Sequence, residues 1–137
     1  MSSSSPSSSS PPSVPYPHGM SLHVSIYIRA TDIGKFFAAF RPVYESVINE
    51  PECLFFEVYK STPAPPSTST PEKEEEEVIK LSWVEDWAYT PESFMTRQMS
   101  KEYYADYLAA TELLFVRPRE FEVRERLGSP YFSVGRA

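Results

Sequence analysis

Cysteine occurs once in the 137 residues, at Cys53, so no disulfide can form within the chain. That excludes a secreted disulfide scaffold. It also excludes a structural zinc site built from four cysteines, or from two cysteines and two histidines. Glycine is scarce at 4 residues, whereas proline reaches 14 and crowds into residues 6–17 and 63–71. No run of 18 apolar residues exists, so no segment is expected to span a membrane. The N-terminus lacks the apolar stretch of a secretory signal. Basic charge is also short, with 13 Lys and Arg against 19 Asp and Glu and a net charge of −6. Most of that excess lies in the run EKEEEE at 72–77, which leaves no basic face for phosphates and argues against nucleic-acid binding. These absences point to a cytosolic protein.

Aromatic residues are plentiful at 15%. Without the two proline-rich stretches roughly 100 residues remain, enough for one small domain that gains from a partner surface. Residues 1–20 are mostly Ser and Pro and read as a disordered tail. Residues 22–29 alternate, with Leu22, Val24, Ile26 and Ile28 opposite His23, Ser25, Tyr27 and Arg29, as in a strand with two distinct faces. Thr31 or Asp32 then caps a helix with an apolar stripe from Ile33 to Ile48; Pro42 should kink it and Pro51 ends it. Residues 53–59 form a second strand, with Leu54, Phe56 and Val58 on one face. Residues 61–77 read as a disordered acidic loop.

A third strand covers 78–87, with Ile79, Leu81, Trp83, Glu85 and Trp87 on one face. Thr90 and Pro91 open a helix that runs to about Met99, and another follows over roughly 101–115. Its apolar stripe carries Tyr104, Tyr107, Leu108 and Leu114. Residues 119–127 alternate again as a fourth strand, and 128–137 read as a C-terminal arm or tail. The order β-α-β-β-α-α-β predicts an α+β, ferredoxin-like split βαβ fold over residues 21–127, with a four-stranded antiparallel sheet. The helices cover one face. The other carries His23, Tyr27 and Tyr59, and with them Trp83 and Trp87, so a second sheet is expected to cover it in a homodimer.

Three motifs then line up in order: FRPVYESVINEPECLFFEVYKS, LSWVEDW and SKEYYADYLAA. Together they resemble the antibiotic biosynthesis monooxygenase (ABM) domain, a family of dimeric α/β barrels. The helix end Glu50-Pro51-Glu52-Cys53 is similar to the family's E-P-G-C, with Glu in place of Gly. Glu85-Asp86-Trp87 matches its E-x-W, and Phe94, Arg97, Ser100 and Tyr103 keep the spacing of L-x-x-H-x-x-S-x-x-F. The stretch YLAATELLFVRPREFEV resembles small fungal ABM proteins, which suggests a place in fungal secondary metabolism.

The resemblance implies a cofactor-free oxygenase for an electron-rich phenol or quinol of aromatic or polyketide type. Arg97 stands where the family has His, and no Asn lies on strand 78–87. On this reading Arg97 is the cation that favours a phenolate. Trp87 and Tyr103 sandwich the aromatic rings, and Glu85 holds Arg97 or receives a proton. His23, Tyr27 and Tyr59 join Tyr103 as expected substrate contacts. Each has a plainer reading: Trp87 as core, Arg97 as a surface residue, Glu85 as a structural ion pair with Arg97 or Arg124, His23 as an interface residue. Cys53 reads as a small buried hydrophobe. No metal-ligand spacing is visible, so no metal is expected. Two classes stay open: an oxygenase of this kind, and a non-catalytic dimeric barrel that binds a small hydrophobic ligand.

Overall fold

The computed structural model describes residues 16–61 and 77–133. Strand β1 (Met20–Arg29) leads through a 3-10 turn, Ala30–Asp32, into helix α1 (Ile33–Ile48). Strands β2 (Cys53–Lys60) and β3 (Val78–Trp87) follow. A short helix α2 (Pro91–Ser93) runs directly into a π-turn, Phe94–Gln98, before helix α3 (Tyr103–Thr111) and strand β4 (Glu120–Glu125). The sheet order is β2-β3-β1-β4, and all three pairings are antiparallel. This is the expected α+β ferredoxin-like arrangement.

Period-two alternation decides the faces. β1 and β3 pair without a break, so Met20 lies opposite Trp87, Leu22 opposite Glu85 and Val24 opposite Trp83. These side chains share the helix-covered face. Ile26, Ile28, Ile79 and Leu81 extend the sheet's contribution to the core. α1 adds Phe36, Phe40, Val43 and Val47, which recur at three- and four-residue spacing. The Phe40 ring lies 4.9 Å from that of Trp83, and Tyr107 of α3 meets Phe36 edge-on at 6.2 Å. Pro42 sits inside α1 without ending it.

Some expectations change. Trp83 and Trp87 do not reach the open face; they are 4% and 0% exposed on the helix side, as their parity with Leu81 requires. In β2 a bulge between Cys53 and Phe55 shifts the alternation by one residue. Phe56 and Val58 therefore pack on the core while Leu54 is exposed.

The tail's expected boundary also moves. Met20 opens β1 fully buried, and Tyr16 packs on the core. Gly19 turns the chain with φ +89°, and a Cβ there would overlap the Trp87 carbonyl oxygen. The tail reading for 1–15, the loop reading for 62–76 and the arm reading for 134–137 fall outside the described residues. Ser61 and Glu77, assigned to the loop, make backbone hydrogen bonds to Lys80 and Ala30. At the end of the tail, the His18 carbonyl accepts from the Arg126 side chain. No helix among the described residues is long and apolar enough to cross a membrane.

Candidate functional site

A cavity of about 220 Å³ opens between the sheet and the α2–α3 segment. Its floor is Met20, Leu22, Val24, Trp83 and Glu85, with Phe121 and Val123 from β4. Its roof comes from Phe94, Met95, Met99, Tyr104, Tyr107 and Leu108. Met95 and Phe121 are 62% and 66% exposed, so they form its rim. Among the described residues, two charged ones line it: Glu85 and Arg119.

Glu85 is the chemical centre. It is buried on an otherwise apolar sheet face, and both of its carboxylate oxygens are held. The Trp83 indole N–H donates to Oε2 at 2.8 Å, and the Trp87 indole N–H donates to Oε1 at 2.9 Å. Both donors come from the same strand, two residues to either side, because alternation puts residues i−2 and i+2 on the face of residue i. Burial pushes the Glu85 carboxyl up to about 7, against the pull of the two indole hydrogen bonds. Near neutral pH this group both accepts and releases a proton.

Gln98 is completely buried and organises the roof. Its amide N–H groups reach the hydroxyls of Tyr103 at 2.7 Å and Tyr104 at 3.0 Å, and its carbonyl oxygen accepts from Tyr89 at 3.4 Å. The Tyr103 hydroxyl in turn donates to Glu50, which also pairs with Lys101 at 3.0 Å. These two donors, Lys101 first, hold the Glu50 carboxyl below its usual range. The π-turn puts Gln98 there. Met99 N–H bonds to the Phe94 carbonyl, an i→i+5 span. Such a turn holds an extra residue, so position i+4, not i+3, returns over Phe94. Gln98 therefore faces inward and Arg97 faces solvent.

The expected site residues thus divide. Glu85 and Trp87 come together as hydrogen-bonded neighbours. Arg97 is exposed and does not line the cavity, and Glu85 is held by indoles rather than by an arginine. Tyr103 lies behind the roof on Glu50 and Gln98 and does not line the cavity; its neighbour Tyr104 does. His23, Tyr27 and Tyr59 stand on the opposite face of the sheet. Ser21 Oγ and His23 Nε2 are 2.9 Å apart, and burial, followed by the Arg124 charge, lowers the His23 pKa. The Tyr27 hydroxyl donates to Glu120, beneath an Arg117 guanidinium 3.9 Å from the ring centre. The Tyr59 hydroxyl donates to Glu57. Burial raises the Cys53 pKa, which suits an inert thiol.

Three residues enter that the motif spacing did not single out as site residues: Gln98, Tyr107 and Arg119. Tyr107 is 6% exposed, and its hydroxyl has no hydrogen-bond partner among the described residues. The nearby Thr111 hydroxyl donates to the Tyr107 backbone carbonyl. Burial raises the Tyr107 pKa, and the Arg119 charge, followed by the neighbouring Thr111 hydroxyl, pulls it back down. No group of three or more His, Cys, Asp or Glu among the described residues could hold a metal ion.

No protein-family model matches the chain. It is 30% identical over 108 residues to the "Putative monooxygenase GME11364" of Pestalotiopsis microspora, covering 79% of each chain. Among solved structures, a crystal structure titled antibiotic biosynthesis monooxygenase superposes with a TM-score of 0.58 at 11% identity, covering 80% of this chain and 99% of that one. Rv0793 from Mycobacterium tuberculosis superposes with a TM-score of 0.61 at 14% identity, covering 81% and 97%.

Proposed function

Since the chain belongs to the antibiotic biosynthesis monooxygenase family, we propose that it is an oxygenase for a small phenolic or quinol-type aromatic, with Glu85 as the base. The observation that carries this reading is Glu85 itself. A carboxyl at about 7, fixed by two indole donors at an apolar cavity, is poised to take a proton from a weakly acidic carbon or phenol. Arg119 supplies a cation at the same cavity to stabilise the resulting anion. The apolar walls keep water from the electron-rich intermediate.

For an anthrone-type methylene the balance is simple. Glu85 removes one proton, the carbanion reduces and combines with O2, and protonated Glu85 returns the proton to the peroxide anion. The hydroperoxide then loses water to leave a carbonyl. One oxygen atom enters the product and one leaves as water. A cavity of about 220 Å³ is below the ~300–1,000 Å³ of typical drug-sized sites. It suits one or two rings, with any larger substrate extending past Met95 and Phe121. We place the protein's working form as a homodimer that covers the open sheet face, where Ser25 and Ser82 meet at 3.1 Å beside His23.

The test is O2 uptake and quinone absorbance with anthrone-type and hydroquinone substrates. Glu85→Gln should lower turnover by roughly 10²–10⁴. Ligand binding without O2 uptake by the wild-type chain would replace the oxygenase with a non-catalytic binder.

A further inference from the structure

Beneath the rim of the cavity lies a polar group that the fold does not satisfy. The Tyr107 hydroxyl is buried, lacks a partner among the described residues, and belongs to a side chain that lines the cavity. Leaving a buried hydroxyl unpaired is a net cost to folding. Phenylalanine would fill the same space without that cost, and the phenyl rings of Phe36 and Phe40 already pack against this ring. The neighbouring Thr111 hydroxyl acts on that of Tyr107, but the Thr111 proton is committed to the Tyr107 backbone carbonyl at 2.8 Å, so the Tyr107 hydroxyl's own proton has no acceptor among the described residues. Arg119 lines the same cavity, and its charge acts on this hydroxyl. A neutral O–H donor and a cation together suit an oxygen that carries, or develops, negative charge. Glu85 also acts on the Tyr107 hydroxyl through space, so acceptor and donor groups share one small chamber.

We infer that the Tyr107 hydroxyl is a recognition donor for a carbonyl or phenolate oxygen of the bound aromatic, with Arg119 beside it. This inference rests on the cavity's being the substrate site, as proposed above, but not on the reaction that occurs there. It narrows the ligand class. The ligand carries a proton to give to Glu85 and, within the same one or two rings, an oxygen acceptor for Tyr107. Aromatic hydrocarbons of the same size lack the second feature and are discriminated against, because they leave the hydroxyl unpaired.

The experiment is binding, read by quenching of the Trp83 and Trp87 fluorescence, with 1-naphthol, 1-tetralone and naphthalene on the full chain. Wild-type protein should bind the two oxygenated compounds about 5- to 10-fold more tightly than naphthalene, the worth of one net hydrogen bond. Tyr107→Phe should reduce that preference to about two-fold or less while the melting temperature stays level or rises. Retained preference in Tyr107→Phe would overturn the inference, as would a wild-type chain that binds none of the three. A Tyr107→Phe chain that melts earlier or fails to fold would also overturn it, because the hydroxyl would then have a structural partner. Discrimination lost on Tyr107→Phe in a protein that consumes no O2 would uphold the inference and sink the oxygenase reading alone.

Discussion

The Trp87 indole N–H donates to Glu85 Oε1 at 2.9 Å, between side chains two residues apart on one face of β3. The partner of a buried carboxylate is thus a neutral donor, not a cation, and the carboxyl keeps a pKa of about 7.

That value makes stability depend on pH. In the unfolded chain Glu85 titrates near 4.5, and in the folded chain near 7. Between these values the folded state holds more proton, so stability is greatest below about 4.5 and falls as pH rises to about 7. The full swing is roughly 3 kcal/mol. The lowered pKa of Glu50 acts in the opposite sense and below this window. Urea unfolding at pH 5 and pH 8 should show the loss in wild type and a much smaller one in Glu85→Gln. Equal losses in both would show that Glu85 is not the titrating group.

Trp87→Phe keeps the ring that packs at 5.6 Å on Tyr89 and 5.5 Å on Phe94 but removes the donor. Losing a hydrogen bond to the charged form raises the Glu85 pKa further, by about one pH unit or less. The acid limb of the kcat/KM profile should move to higher pH. A profile that stays in place would mean that the indole does not tune the carboxyl.

Gln98→Leu strands the hydroxyls of Tyr89 and Tyr104 at once and leaves that of Tyr103 only its bond to Glu50. The expected loss is about 2–4 kcal/mol in chemical denaturation, more than one hydrogen bond's worth because the network shares a single amide. A change within about 0.5 kcal/mol, usual for a surface site, would contradict the network.

Arg119→Ala should lower turnover by roughly 10²–10³, the worth of one charge-stabilising donor. Arg97→Ala should leave both turnover and melting temperature close to wild type, since Arg97 is exposed outside the cavity. Reversed outcomes for the two arginines would restore the motif-based assignment of Arg97.

Light scattering at micromolar concentration should give twice the 15.7 kDa chain mass. Ser25→Arg puts a charge where the two serine hydroxyls meet on the open face and should yield folded monomer. A stable wild-type monomer would sink the dimer, whose interface needs to bury ~1,600 Å².

The element order, sheet and core were legible because alternation in β1 and β3 is uninterrupted and each strand has a clear parity. Where parity breaks, inference failed. The β2 bulge exposed Leu54, and the π-turn exchanged Arg97 for Gln98. Neither irregularity leaves a mark in residue spacing. Two further clues stand in the sequence. The run Trp83-x-Glu85-x-Trp87 places two indoles beside one carboxyl on a single strand face. Arg119 shares parity with Phe121 and Val123, so the apolar side of β4 continues into a cation.

Gly19 lies near the end of the residue stretch that reads as a low-complexity tail, yet its backbone lies against the carbonyl of Trp87 with no room for a methyl group. Any side chain there must push on the residue whose indole holds the Glu85 carboxyl. A substitution at the edge of a serine- and proline-rich leader would therefore behave like a lesion in the chemistry. It would alter proton affinity at the cavity without touching any residue that lines it.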